Sequence, residues 1–270
     1  MGRLGFIVVI AVLLSSNALR ADSTAVTREI VYRRVLAYLK NDNVPESFVL
    51  AAFNRPEVKY RKAVIRRFQF PNEQKPYSQY KRIFLTRKRI HGGVKFYHAH
   101  QTLVDSIAKE FGVDPLILTS MVGIESNYGD YHAEFSVFNA LYSVSVGFPS
   151  RADWAMKELA EFLKFCYKNK IDPQSIRGSY AGAFGYGQFL PSSFNRYAVD
   201  MDGDGIREYL QWPDALGSIA NYLKENGYPE NSDDFSKGSG VYRALYSYNH
   251  SDNYVRVVLD LRKAIRAKLR

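Results

Sequence analysis

Glu125 is the residue in this chain best placed to do chemistry. It closes an otherwise apolar stretch, Pro115-Leu-Ile-Leu-Thr-Ser-Met-Val-Gly-Ile124, directly before the turn-forming Ser126-Asn-Tyr-Gly129. On a helix, such a carboxylate meets the negative end of the dipole, and apolar neighbours penalise its ionised form. Both effects push its pKa upward, toward what a general acid needs near neutral pH. A helix-end glutamate pointing into solvent is the plainer alternative. A second cluster spans Gly178 to Pro191. Its glycines at 178, 182, 185 and 187 permit close backbone approach to a ligand, and Tyr180, Phe184, Tyr186 and Phe189 offer flat faces for sugar rings. No Lys-Ser/Thr follows, which excludes a P-loop, and the strand context of a dinucleotide fold is missing. A packing loop remains the other reading. The third cluster, Asp200-Met-Asp202-Gly-Asp204-Gly205-Ile206, fits the opening D-x-D-x-D-G of an EF-hand calcium loop. Position twelve is Gln211 rather than a bidentate Glu. Asp214, three residues on, could close the site or simply N-cap the next helix. Calcium here would be structural, pinning a loop.

Other reactive side chains have simpler readings. His98 and His100 flank Ala99 with no further ligand at zinc spacing, and Cys166 falls on an apolar helix face as a small hydrophobe. No G-x-S-x-G or H-E-x-x-H occurs.

The elements that must position these residues are mostly helices. Residues 22–97 show helical spacing at Val31, Val35, Leu36 and Leu39, with breaks at Pro45, Pro56, Pro71 and Pro76 and an end at Gly92-Gly93. Beyond His98, Leu103, Val104, Ile107, Ala108 and Phe111 form one apolar face closed by Gly112. Asp114-Pro115 then reads as N-cap and first helical residue of the segment that carries Glu125. Further helices are predicted from Ala152 to about Tyr167, from Asp214 to Asn226 with Gly227 as stop, and from Tyr254 to Leu269. Strand patterns are rare and short. The fold class is mainly α (α+β), with a basic helical N-terminal region over 22–97 and a core over 98–270 that includes the loop 200–214.

Composition narrows the function classes. The 270 residues are 46% hydrophobic and 24% charged, which excludes disordered, collagenous and polytopic membrane proteins. A single cysteine excludes a disulfide framework. The net charge of +10 is concentrated between Arg28 and Lys95, where 17 Lys and Arg face 5 Asp and Glu. That balance favours a polyanion, although a solvated helical surface reads the same way. Arg3, the apolar run Phe6 to Leu14 and the small residues through Ala18 read as a cleaved signal peptide over 1–18. The mature chain is then exported to the periplasm, with no lipobox cysteine and no membrane span, and nucleic acid is not its partner.

Taken together, Gly123-Ile-Glu-Ser-Asn-Tyr-Gly129, Gly178 to Ser193 and Tyr248-Asn-His-Ser251 resemble lytic murein transglycosylases of the membrane-bound B type, glycoside hydrolase family 103. Tyr80-Lys-Arg-Ile-Phe84, Gly92-Gly-Val-Lys-Phe96 and Trp212 to Tyr222 extend the likeness over about residues 50 to 265. The resemblance implies a lysozyme-like helical catalytic core that cuts the β-1,4 bond between N-acetylmuramic acid and N-acetylglucosamine in peptidoglycan. It implies Glu125 as the single catalytic acid/base, and Ser179, Tyr186 and Gln188 with Tyr80, Tyr248 and Tyr254 lining the substrate site. A calcium loop would fall on Asp200, Asp202, Asp204, the Ile206 carbonyl and Asp214. Two departures stand out. Trp154 occupies a place where the family can have Tyr, and Ser150-Arg151 replaces a paired-Arg feature that contacts the stem peptide, leaving Arg151 as the residue for that role. Partners would be glycan strands and other wall-remodelling proteins. Two rivals remain: a lysozyme-type hydrolase with Asp130 or Glu134 holding a water, and a non-catalytic peptidoglycan-binding protein.

Overall fold

Several helices begin where the sequence supplies a capping side chain. In the computed structural model, which describes residues 26–69, 75–130 and 133–270, α1 (Arg28–Leu39) opens on Thr27, whose hydroxyl accepts from the Ile30 amide. The leader expected over 1–18 lies outside the described residues. Helices α2 (Glu46–Phe53) and α4 (Tyr77–Phe84) follow prolines, with α3 (Lys62–Gln69) between them. Thr86 caps α5 (Arg87–Ala99), and α6 (Gln101–Phe111) ends on Gly112, whose φ of 68° closes the helix. Asp114 then accepts the Leu116 and Ile117 amides at 2.9 and 3.0 Å to start α7 (Pro115–Ser126). The remaining helices are α8 (Val137–Gly147), α9 (Ala152–Lys168), α10 (Pro191–Tyr197), α11 (Trp212–Glu225), α12 (Gly240–Tyr248) and α13 (Asp252–Leu269). Strands β1 (Phe135–Ser136) and β2 (Arg177–Gly178) pair antiparallel, Phe135 opposite Gly178.

Helix α7 runs through the middle of the molecule. Every residue from Leu116 to Ile124 is buried, with α5, α6, α11 and α13 packed around it. Helix α8 is likewise buried from Val137 to Ser145, against α9, α1 and α3. Helix α8 carries no amphipathic stripe because its buried faces all pack inward. Its polar positions are used internally: Asn139 Oδ1 accepts the Lys59 amide and Ser143 Oγ the Arg61 amide, both at 2.8 Å. One apolar cluster extends from Val31 to Ile265, and a smaller one, Val64, Ile65, Ala140, Val144 and Ala155, seats α3 on α8. Among the described residues, no helix is long and apolar enough to cross a membrane. Cys166 is buried, as expected of a small hydrophobe, and burial raises its thiol pKa.

Two expectations change. Gly92-Gly93 does not end a helical region but lies inside α5, which continues to Ala99. The pair is there for proximity: a Cβ on Gly92 would lie 3.0 Å from the Tyr128 ring, and one on Gly93 would overlap Ile265 Cδ1 and sit 2.6 Å from Tyr128 Oη. Helix α11 begins at Trp212, with Pro213 in its first turn, so Asp214 is not its N-cap and its carboxylate serves elsewhere.

Replacing Gly93 by Ala would gain about 1 kcal/mol of helix propensity, yet the overlap costs about 1–3 kcal/mol in a packed crossing. We expect Gly93→Ala to lower the unfolding free energy, and Gly92→Ala to lower it less. Urea unfolding checks this, and a more stable Gly93→Ala protein would refute the close-packing account.

Candidate active site

The carboxylate of Glu125 sits in the last turn of α7, half-buried, where the helix stops in a run of three left-handed residues. Asn127, Tyr128 and Gly129 have φ of 51°, 60° and 86°. Asparagine and glycine adopt that region readily, but for Tyr128 it costs about 1–2 kcal/mol. Its hydroxyl is also buried with no hydrogen-bond partner among the described residues, a further cost of about 1–3 kcal/mol. Packing holds Tyr128 in place, because its ring enters a slot left by three absent side chains. A Cβ on Gly123 would approach Tyr128 Oη to 2.5 Å, and Gly92 and Gly93 form the opposite wall. Arg89, from α5, donates through Nη1 to the Gly123 carbonyl at 2.6 Å and to that of Ile124 at 3.4 Å, while lying over the Phe84 ring. A cation on the final carbonyls compensates the negative end of the helix beside Glu125.

Helix α13 supplies the partner of the carboxylate. The Tyr254 hydroxyl donates to Glu125 Oε1 at 2.6 Å. Tyr254 lies parallel to Tyr248, with 6.4 Å between ring centres, and buried Tyr80 is close enough to add to its local field. Burial first, and the Glu125 charge second, push the pKa of both Tyr248 and Tyr254 well above the ordinary phenol value. Both therefore stay protonated as donors.

Tyr248 also ties this group to the glycine-rich segment, donating to the Gly187 carbonyl at 2.5 Å. That segment folds on itself through bridges of Phe184 with Gly178 and Phe189. Gln188, at φ 49°, turns its amide back onto the Gly185 carbonyl at 2.9 Å, and Ser179 Oγ accepts the Ala181 and Ala183 amides at 3.2 Å. Both side chains thus shape their own loop. Tyr186 stacks on Trp212 at 4.0 Å, and Trp212 meets Phe96 edge-on at 4.7 Å, forming an aromatic wall that includes the Gly129 turn. Arg151 stands exposed on the short 3-10 turn Pro149–Arg151.

Of the two acids weighed as partners of a water, Asp130 accepts from Asn127 at 3.2 Å and lies 3.8 Å from Lys88, and Glu134 pairs with Arg67 at 2.9 Å. Reasoning from sequence overlooked Arg89, Tyr128 and Trp212. The glycine pair at 92 and 93 was the available signal, but it was read as a break.

The acidic loop gathers three carboxylates. Asp200, Asp202 and Asp214 offer oxygens within 4.8 Å of one another, two of these residues exposed and Asp214 buried. Asp214 Oδ1 accepts the Met201 amide at 2.8 Å and Oδ2 the Glu208 amide at 2.7 Å, fastening the loop to α11. Asp200 accepts from Gly203 and Gly205, while Asp204 lies outside the trio with Oδ1 on the Ile206 amide at 2.8 Å. Desolvation and then repulsion from neighbouring carboxylates raise the pKa of Asp202 and Glu208. Crowded oxygens that repel one another are a donor set suited to a hard cation such as calcium.

The family described as Transglycosylase SLT domain matches residues 32–237. Over 150 residues the chain is 36% identical to membrane-bound lytic murein transglycosylase B of Escherichia coli (strain K12), covering 56% of this chain and 42% of that protein. In that match the chain spans well under half the relative's length. The structure of soluble lytic transglycosylase SltB1 from Pseudomonas aeruginosa is similar with a TM-score of 0.78 at 28% identity, over 89% of this chain and 99% of that one. Escherichia coli lytic transglycosylase Slt35, solved in complex with calcium, shares the fold with a TM-score of 0.78 at 23% identity, over 89% and 94% of the two chains. With most of its length inside the family match, and Glu125 held at the end of a buried central helix, this chain belongs to the Transglycosylase SLT domain family.

Proposed function

We propose that this protein is a lytic murein transglycosylase acting on peptidoglycan, with Glu125 as its single acid/base. The observation that carries the reading is the Tyr254 hydroxyl on Glu125 Oε1. A donor at one oxygen fixes the orientation of the carboxyl group, as an acid/base that must meet a substrate oxygen requires. As an acid, Glu125 protonates the oxygen of the β-1,4 bond while the 2-acetamido group of muramic acid supports the charge developing at C1. As a base, it then removes the proton of the C6 hydroxyl of the same sugar, which attacks C1 and yields the 1,6-anhydro product. Tyr186 and Trp212 offer a stacking face for sugars, and Tyr80, Tyr248 and Tyr254 shield the carboxyl from water. The rival reading, hydrolysis, would need a second acid to hold a water; of the two weighed for it, Asp130 lies 3.8 Å from Lys88 and Glu134 pairs with Arg67 at 2.9 Å. Exposed Arg151 is assigned to the stem peptide, and the basic N-terminal helices to the polymer's carboxylates. The segment over 1–18, read as a leader, favours an exported, periplasmic protein.

Calcium is part of the same proposal, in a structural role. Asp200, Asp202 and Asp214 would hold it, with Asp204 and the Ile206 carbonyl as further ligands of the loop. The ion would relieve the repulsion among those acids, and it takes no part in the chemistry.

Mass spectrometry of soluble products from purified sacculi tests the reaction. The parent is expected to release anhydromuropeptides and Glu125→Gln none; reducing-end products, or a fully active variant, would overturn the assignment. Tyr254→Phe should lower kcat by roughly tenfold with little change in KM, the size of one charge-assisted hydrogen bond. Chelation should lower the thermal midpoint by roughly 5 °C or more relative to saturating calcium. Asp202→Ala should abolish that difference, and a parent midpoint indifferent to calcium would rule the site out.

A further inference from the structure

A cavity of about 700 Å³ lies between the segment 57–63, the β1–β2 pair and Gln174, and none of its lining residues belongs to the Glu125 group. Its acids are already paired: Glu57 with Arg55 at 3.4 Å and Glu134 with Arg67 at 2.9 Å. Its cations are not. Arg61 and Lys62 have no carboxylate within ion-pair distance among the described residues. Arg177 directs its guanidinium to the backbone carbonyls of Ala133 and Glu134 at 3.1 and 2.6 Å, so its charge too lacks an acid. Gln174 adds a neutral donor. Its Oε1 accepts from Ser136 Oγ at 3.3 Å, which sets the amide's orientation, and its Nε2 is buried without an acceptor among the described residues. A buried donor without an acceptor is costly, and here it accompanies uncompensated positive charge. Tyr60 and Phe135 provide apolar wall. Cations, a spare amide donor and neighbouring apolar surface together call for an organic carboxylate.

We infer that this cavity is a second binding site, for a free carboxylate of the peptide stems carried by the glycan substrate. The inference rests on the proposed function for its choice of polymer. Strand β2 links the two places: Arg177 lines the cavity, and Ser179, two residues on, opens the glycine-rich segment. A glycan strand lying along that segment carries its stems past the cavity mouth. Arg61 and Lys62 capture the carboxylate, Gln174 donates to it, and the site lets the enzyme prefer strands that still bear peptides.

The test is calorimetric titration of the whole protein with a synthetic stem tetrapeptide, its amidated form and inorganic phosphate, alongside activity on glycan strands stripped of peptide. The tetrapeptide should bind, the amidated form should not, and raising salt should weaken binding. Arg61→Gln with Lys62→Gln should weaken it at least tenfold, and Gln174→Leu several-fold at an unchanged thermal midpoint, with turnover of stripped strands at the parent level in the Gln174→Leu variant. Equal affinity for parent and variants, phosphate binding as tight as peptide binding, or no measurable binding would each overturn the inference. A parent inactive on stripped strands and on sacculi alike would count against the reaction, and the titration would still decide the cavity.

Discussion

The approach of α5 to the C-terminal end of α7 sets the geometry of everything around Glu125. Helices usually stand apart by the width of the side chains between them. Here Gly92, Gly93 and Gly123 remove those side chains, and the gap is filled by Tyr128, a ring that arrives from the turn after the carboxylate, with Ile265 beside it at Gly93. The same approach brings Arg89 onto the Gly123 and Ile124 carbonyls and Ile265 of α13 against Gly93. The ring thus registers α5 to α7, and Ile265 on Gly93 adds α13 to the same crossing. A side chain at any of the three glycines would move the wall against which the turn is built, and Glu125 leaves that turn.

Within this frame the tyrosines divide the work. Tyr254 faces Glu125, Tyr248 faces the Gly187 carbonyl, and the two rings run parallel across the short break between α12 and α13. The carboxylate and the glycine-rich segment are therefore held to one distance through two hydroxyls. The far side of that segment is held in turn by the acidic loop: the Tyr186 amide donates to the Tyr209 carbonyl, and Asp214 fastens the preceding loop to α11. Calcium, where it binds, would stiffen the outermost part of this chain of supports.

Much of the fold was legible in the sequence, and for reasons that can be named. The amphipathic helices α6, α9, α11 and α13 were predicted to within about two residues, because each keeps one face in water and carries its own cap or stop, such as Gly112. Helix α8 was missed because it is buried all round, so no periodicity marks it, and its Asn139 and Ser143 look like surface residues until the extended segment 57–61 is laid beside them. The glycine pair at 92 and 93 was misread, since a local reading sees conformational freedom where the tertiary structure uses missing volume. Glu125 was visible as a charge at the end of an apolar run. Its partner Tyr254 could not be paired with it by spacing, and only the resemblance to a family brought the two together.

That pairing joins residues 129 positions apart in the chain. Contacts so distant in sequence form after the loop between them has closed, late in folding and with a large entropic penalty. Helix α13 also packs on α7, and its Arg262 pairs with Asp114 at the N-cap of that helix. Without α13 docked, the Glu125 carboxylate would lack the Tyr254 hydroxyl. The architecture thereby makes the setting of Glu125 a property of the finished fold, because its carboxylate comes from α7 and the hydroxyl that it accepts from α13.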